Sequence, residues 1–334
     1  MTLAAIFGCA GTALGDEERA FFREVDPLGF ILFARNVADP EQLRRLTGDL
    51  RASVGRDHAP ILIDQEGGRV ARLKPPHWRA MPAAARFGEL AVVDRARAAA
   101  AVRTNHELLA CELRAVGITV DCTPVLDLRR PETHAAIGDR AFAADPYLVA
   151  DLGRAAAEGL MAGGVVPVIK HMPGHGRATV DSHLDLPRIE AEFEELAESD
   201  FVPFRKLNDL PWGITAHLVY TAIDPDRPAT LSPRVINEVV RGEIGFAGLL
   251  ISDDMSMKAL SGRLDELASR LIAAGCDVAL HCNGNLDEMR LVAAGSGSLS
   301  PAARLRYERG HQRVNADPDF DPDELAEELT ELMA

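Results

Sequence analysis

The segment Ile169 to Pro187, IKHMPGHGRATVDSHLDLP, gathers one lysine, three histidines and two aspartates among small residues and turn formers. His171, His175 and His183 stand four and eight residues apart. Pro173, Gly174 and Gly176 prevent a helix from running through them, so they cannot share a helical face as paired metal-binding histidines do. No cysteine lies nearby, and no compact carboxylate–histidine pattern fixes a coordination geometry. The segment is therefore expected to hold no metal. A catalytic loop fits better. The glycines let the backbone bend, and Asp181 precedes His183 by two residues, which in extended chain puts both side chains on one side. The carboxylate can then accept the imidazole N–H, fix its tautomer and make a general acid and base of it.

A second reactive group sits in GLLISDDMSM. Asp253 follows a buried apolar run, where a carboxylate is costly unless it is hydrogen-bonded or working. Fixed at the mouth of a cavity, it can attack an anomeric carbon while another group protonates the leaving oxygen. If Asp253 faces the site, Asp254 points elsewhere and can cap the next helix. A sugar also needs hydroxyl binders. Asp64 in DQEGGRVARL can accept from two neighbouring hydroxyls, Arg72 and Arg140 carry planar donor forks, and Lys170 adds a compact donor.

Those residues must be positioned by the elements that carry them. Short apolar β-rich runs alternate with Ala/Leu/Glu/Arg-rich helical stretches along the chain, the pattern of repeated βα units and a parallel sheet. About eight strands are expected, in LAAIFG, GFILFAR, APILID, ITVDCTPVLD, VVPVIKH, WGITAHLV, GLLISDD and DVALHC, which suits an α/β fold of the (β/α)8 TIM-barrel type. Helix starts are marked by a cap residue before proline at Asp39-Pro40, Asp145-Pro146, Ser232-Pro233 and Asp321-Pro322, and helix ends by Gly117 and Gly275. Without an internal linker or composition break, residues 1–334 read as a single domain, with a C-terminal helix at about 320–333 packed outside. Asp64, Asp127, Lys170-His171, His217 and Asp253-Asp254 all follow apolar strand runs. In a βα barrel those ends form the catalytic face.

Composition narrows the function classes. The formal charge of −15 disfavours nucleic acid and anionic membranes, because phosphate neutralisation needs clustered Lys and Arg. Five scattered cysteines, an odd number without a C-x-x-C pair, read as reduced packing residues of a cytosolic protein. The opening MTLAAIFGCAGTAL lacks a basic leader region and is too short to span a bilayer, so it reads as a first buried strand.

Taken together, GFILFARNVADPEQLRRL, ILIDQEGGRVARL, TPVLDL, IGDRAFAADP, IKHMPGHGRATVDSHLDLP, ITAHLVYTAIDPDRPATLSP and GLLISDDMSM resemble the bacterial β-N-acetylglucosaminidases of glycoside hydrolase family 3, the single-domain cytosolic kind that acts in peptidoglycan recycling. The likeness covers about three quarters of the chain, in order, with Met172 where the family pattern has phenylalanine. It implies Asp253 as nucleophile, His183 as general acid and base, and Asp181 as the residue orienting His183. It further implies that Asp64, Arg72, Arg140, Lys170 and His171 hold the N-acetylglucosamine, and that His175 has a structural role. The implied substrate is N-acetylglucosamine linked to 1,6-anhydro-N-acetylmuramic acid, with or without peptide, taken by a monomer without cofactors. Interception of the glycosyl-enzyme by phosphate, a non-catalytic sugar-binding barrel and a metal-dependent hydrolase are the rival readings.

Overall fold

The computed structural model describes residues 1–131, 133–180 and 185–334. Ten strands form among those residues, and all but β6 overlap the expected runs: β1 Leu3–Gly8, β2 Pro27–Leu32, β3 Ile61–Ile63, β4 Val120–Asp121, β5 Val166–Met172, β6 Arg188–Ile189, β7 Trp212–Thr215, β8 Val219–Tyr220, β9 Leu249–Asp254 and β10 Val278–His281. Eight of these, all but β6 and β8, pair in parallel in chain order and close on themselves through β10 and β1. With helices between successive barrel strands, this is a (β/α)8 barrel of the TIM type.

Two expected strands come out differently. ITVDCTPVLD keeps regular pairing only at Val120–Asp121, because Pro124 has no N–H to give to a ladder. The segment still follows β5 irregularly, with Leu126 N–H donating to the Lys170 carbonyl at 2.7 Å. WGITAHLV divides in two: β7 stays in the barrel, whereas β8 leaves it to pair with β6 above the strand ends.

Alternation along the strands sorts the core into two layers. Ile6, Ile31, Leu62, Val120, Val168, Ile214, Ile251 and Leu280 fill the barrel interior. Their neighbours, among them Phe7, Phe30, Ile63, Ile169, Leu250 and Ala279, pack outward against the helices. Carried past the apolar runs, the same period of two puts Asp64, Lys170 and Asp253 on the inward side. Below the barrel, Trp212 packs on Tyr307 at 5.9 Å between ring centroids, closing the end away from these residues.

The capping signals are realised. Asp39 accepts from Gln42 N–H at 2.8 Å, Asp145 from Tyr147 N–H at 2.9 Å, Ser232 from Val235 N–H at 3.1 Å and Asp321 from Asp323 N–H at 2.8 Å. The C-terminal helix Pro322–Met333 lies outside the barrel and buries Leu325 and Leu329. Arg97 in the helix Arg95–Ala115 donates to the Leu332 carbonyl at 2.7 Å, and Arg79 pairs with Asp323 at 2.6 Å. No helix is long and apolar enough to cross a membrane among the described residues, and all five cysteines are free thiols.

Candidate active site

A cavity of about 270 Å³ opens at the C-terminal ends of the barrel strands, where this architecture places its sites. Asp64, Arg72, Arg140, Lys170, His171 and Asp253, six residues expected at the site, line it together. Asp181 and His183 lie outside the described residues.

At the cavity wall, Lys170 bridges two carboxylates. Its Nζ lies 2.8 Å from Asp64 Oδ1 and 2.7 Å from Glu66 Oε1. Arg72 reaches Asp64 Oδ2 at 3.2 Å, while Arg140 grips Glu66 through Nε and Nη2, both at 2.8 Å. Direct hydrogen-bonded contact between opposite charges makes this burial tolerable. Burial pushes both carboxyls up, but Lys170 and Arg72 hold Asp64 well below the usual carboxylate range, and Lys170 with Arg140 holds Glu66 down to about 2. Burial likewise lowers Lys170, and the two carboxylates more than reverse it, so the ammonium stays charged.

Local sequence explains the arrangement. After β3 the chain turns at Gly67, whose φ of 94° favours glycine, and a β-bridge joins Gly67 to Val70. The buried Gln65 closes that turn: its amide oxygen accepts from Arg72 N–H at 2.7 Å and Leu73 N–H at 3.0 Å, and its amide nitrogen donates to the Leu73 carbonyl at 2.9 Å. Gln65 N–H in turn donates to Asp121 in β4 at 2.9 Å. The turn is thus fixed to the barrel, with Asp64 and Glu66 on one side.

Across the cavity Asp253 is placed by β9. Burial pushes its carboxyl up, and the neighbouring His217 and His171, the Asp254 N–H at 2.8 Å and the more distant Lys170 bring it below the ordinary aspartate value, so it is ionised at neutral pH. Asp254 is engaged elsewhere. Its carboxylate accepts from Ser256 N–H at 3.0 Å, Ser256 Oγ–H at 2.6 Å and Cys282 N–H at 3.1 Å, so it caps a turn and the end of β10 rather than a helix. The arrangement therefore offers one inward, ionised carboxylate facing a wall of charged donors and acceptors.

Residues 13–306 match the family described as the glycosyl hydrolase family 3 N terminal domain. The chain belongs to glycosyl hydrolase family 3. Within that family its relatives are β-hexosaminidases. The one from Alkalilimnicola ehrlichii is 41% identical over 319 residues, covering 93% of this chain and 89% of that protein. The one from Pseudomonas aeruginosa is 38% identical over 312 residues, covering 92% and 91%. NagZ from Neisseria gonorrhoeae in complex with N-trifluoroacetyl-D-glucosamine has the same fold, with a TM-score of 0.89 and 30% identity across 100% of this chain and 98% of that one.

In this family 3 glycoside hydrolase, two site residues escaped the sequence reading or were left without a role. Glu66 is one: the alternation beyond β3 is the signal that places it beside Asp64. Asp127 was noted only as a strand-end carboxylate. It is fully buried and accepts from His171 Nδ1–H at 2.7 Å. The Arg140 fork, expected to be open for hydroxyls, has Nε and Nη2 on Glu66 and Nη1 on the Ala136 carbonyl at 3.1 Å. His175 is buried against His171, with ring centroids 5.6 Å apart, and burial pushes its imidazole down to about 4. Among the described residues, no group of three or more His, Cys, Asp or Glu side chains could hold a metal ion.

Proposed function

We propose that this family 3 hydrolase is a retaining exo-β-N-acetylglucosaminidase that works through a glycosyl–aspartate intermediate. The observation that carries the reading is Asp253: a half-buried, ionised carboxylate at the end of β9, facing the cavity shared with Lys170, His171 and Asp64. Asp253 attacks C1 of the terminal sugar from the α face as the glycosidic bond breaks. His183, oriented by Asp181, donates its proton to the departing oxygen. The same histidine then deprotonates a water whose oxygen displaces Asp253 from C1, releasing the sugar with retained β configuration. An unperturbed imidazole pKa of about 6.5 suits both proton transfers near neutral pH.

In the sugar site, Asp64 accepts from hydroxyls, Lys170, Arg72 and His171 contribute polar contacts, and Arg140 acts with its partner Glu66. The relatives named β-hexosaminidase, and NagZ with its N-trifluoroacetyl-glucosamine ligand, support an N-acylated glucosamine as the glycon. The proposed natural substrate is N-acetylglucosamine β-1,4-linked to 1,6-anhydro-N-acetylmuramic acid, with or without peptide, in cytoplasmic peptidoglycan recycling by a monomeric enzyme. The test compares hydrolysis of an aryl β-N-acetylglucosaminide with the matching β-glucoside, then of the anhydro-disaccharide, with and without phosphate. Faster turnover of the glucosaminide, release of free N-acetylglucosamine and cleavage of the disaccharide are expected. Preference for the glucoside would remove the acetamido assignment, and a phosphate-dependent sugar phosphate product would make the enzyme a phosphorylase.

A further inference from the structure

His171 lines the cavity, and its ring is held from behind by a carboxylate. Asp127 has no exposed surface. Its Oδ2 accepts from His171 Nδ1–H at 2.7 Å, and its Oδ1 accepts the backbone N–H groups of His171 at 3.3 Å and His175 at 2.6 Å. Burial pushes this carboxyl up, and His171, His175 and their hydrogen bonds bring it down to about 2, so it is ionised and can only accept. His171 Nδ1 must then carry a proton, and Nε2 is the ring nitrogen left to the cavity.

We propose that Asp127 is a positioning residue for sugar binding. It fixes the His171 ring with Nε2 toward the glycon hydroxyls, and it ties that ring to residue 175, at the root of the loop that carries Asp181 and His183. This assignment rests on the sugar-site reading above. One carboxylate thereby sets the geometry of a binding side chain and the starting point of the loop assigned to proton transfer.

The geometry makes Asp127→Asn informative. Two backbone N–H groups hold the side-chain oxygen at the Oδ1 position, so the new amide nitrogen faces His171 Nδ1 as a donor. His171 must then present a bare Nδ1 and carry its proton on Nε2. The variant thereby bars the proton from Nδ1 while the volume of the site is unchanged.

The test is nitrogen NMR on histidine-labelled enzyme, with the His171 signals assigned by His171→Gln, alongside kinetics on an aryl β-N-acetylglucosaminide. Expected are a protonated His171 Nδ1 in the wild type, a bare Nδ1 in Asp127→Asn, and a KM raised roughly tenfold with a smaller change in kcat. A bare Nδ1 in the wild type overturns the proposal. So does an unaltered KM in the variant, or a fall in kcat alone, as a purely structural role would give. Should Asp127→Asn not fold, the wild-type spectrum with and without N-acetylglucosamine decides. A shift at Nε2 with Nδ1 still protonated supports the assignment, and no change at Nε2 overturns it. Because this arm reads binding and not turnover, absence of hexosaminidase activity would refute the proposed function without deciding the role of Asp127.

Discussion

Asp253 and Asp254 are adjacent carboxylates with different surroundings, and the difference follows from strand parity. Asp253 continues the inward series Leu249, Ile251, whereas Asp254 turns toward Ser256 and Cys282. Asp253→Ala is expected to lower kcat by about 10⁴-fold or more on every glycoside, as loss of a covalent nucleophile does. Asp254→Asn keeps an amide oxygen for the Cys282 and Ser256 N–H groups and loses the acceptor for the Ser256 hydroxyl. It should cost about 1 kcal/mol of stability and leave turnover largely intact. Steady-state rates and thermal melts of both variants check the pair, and the reverse pattern would exchange the roles. For His183→Ala, the disaccharide should suffer far more than an aryl glycoside whose leaving group needs little protonation. Equal losses on both substrates would leave His183 a binding residue. The inward placement of Asp253 was legible in the sequence because the period of two continues past the apolar run of β9. The pairing of Glu66 was not, because its partner Arg140 lies 74 residues away.

The elements that hold the charged cavity wall are the turn after β3, the irregular run after β4 and the end of β5. Gly67 carries the first of these: its φ is 94°, and a Cβ there would run into the Pro82 carbonyl oxygen. Gly67→Ala is expected to destabilise the enzyme by about 1–3 kcal/mol and to raise KM by moving Asp64 and Glu66 together. Unchanged melting and KM would show that the turn adapts. The same elements carry an acid sensitivity. Glu66 falls from 4.5 to about 2 in the folded chain and Asp127 from 3.8 to about 2. A carboxyl whose folded pKa is depressed contributes stability above its unfolded value and loses it as pH drops through the folded one. Urea midpoints should therefore fall between about pH 4.5 and pH 2, and Glu66→Gln should flatten that slope while weakening the fold at neutral pH. A wild-type midpoint that stays level through this window would contradict the charge arrangement.

At the scale of the whole molecule, the site depends on barrel closure, and the C-terminal helix braces the outside. Leu325 and Leu329 are buried there, away from the cavity at the strand ends. Leu329→Ala should lower stability by about 2 kcal/mol in denaturant titrations and leave kcat/KM unchanged. A change in kcat/KM would mean that this helix couples to the site. The repeated βα pattern was legible because each strand announces itself by an apolar run and each helix by a cap. β4 and the divided β7–β8 run were read too long, because apolar residues continue where the pairing does not.

Local pattern and motif order were enough for the eight-stranded barrel, the family likeness and the inward parity of Asp64, Lys170 and Asp253. How the charges are shared is set by contacts across the folded barrel. Lys170 bridges Asp64 and Glu66, Arg140 is committed to Glu66, and Asp127 holds His171. Those partners come from different strands, and barrel closure brings them within hydrogen-bonding distance, a proximity that no spacing along the chain records.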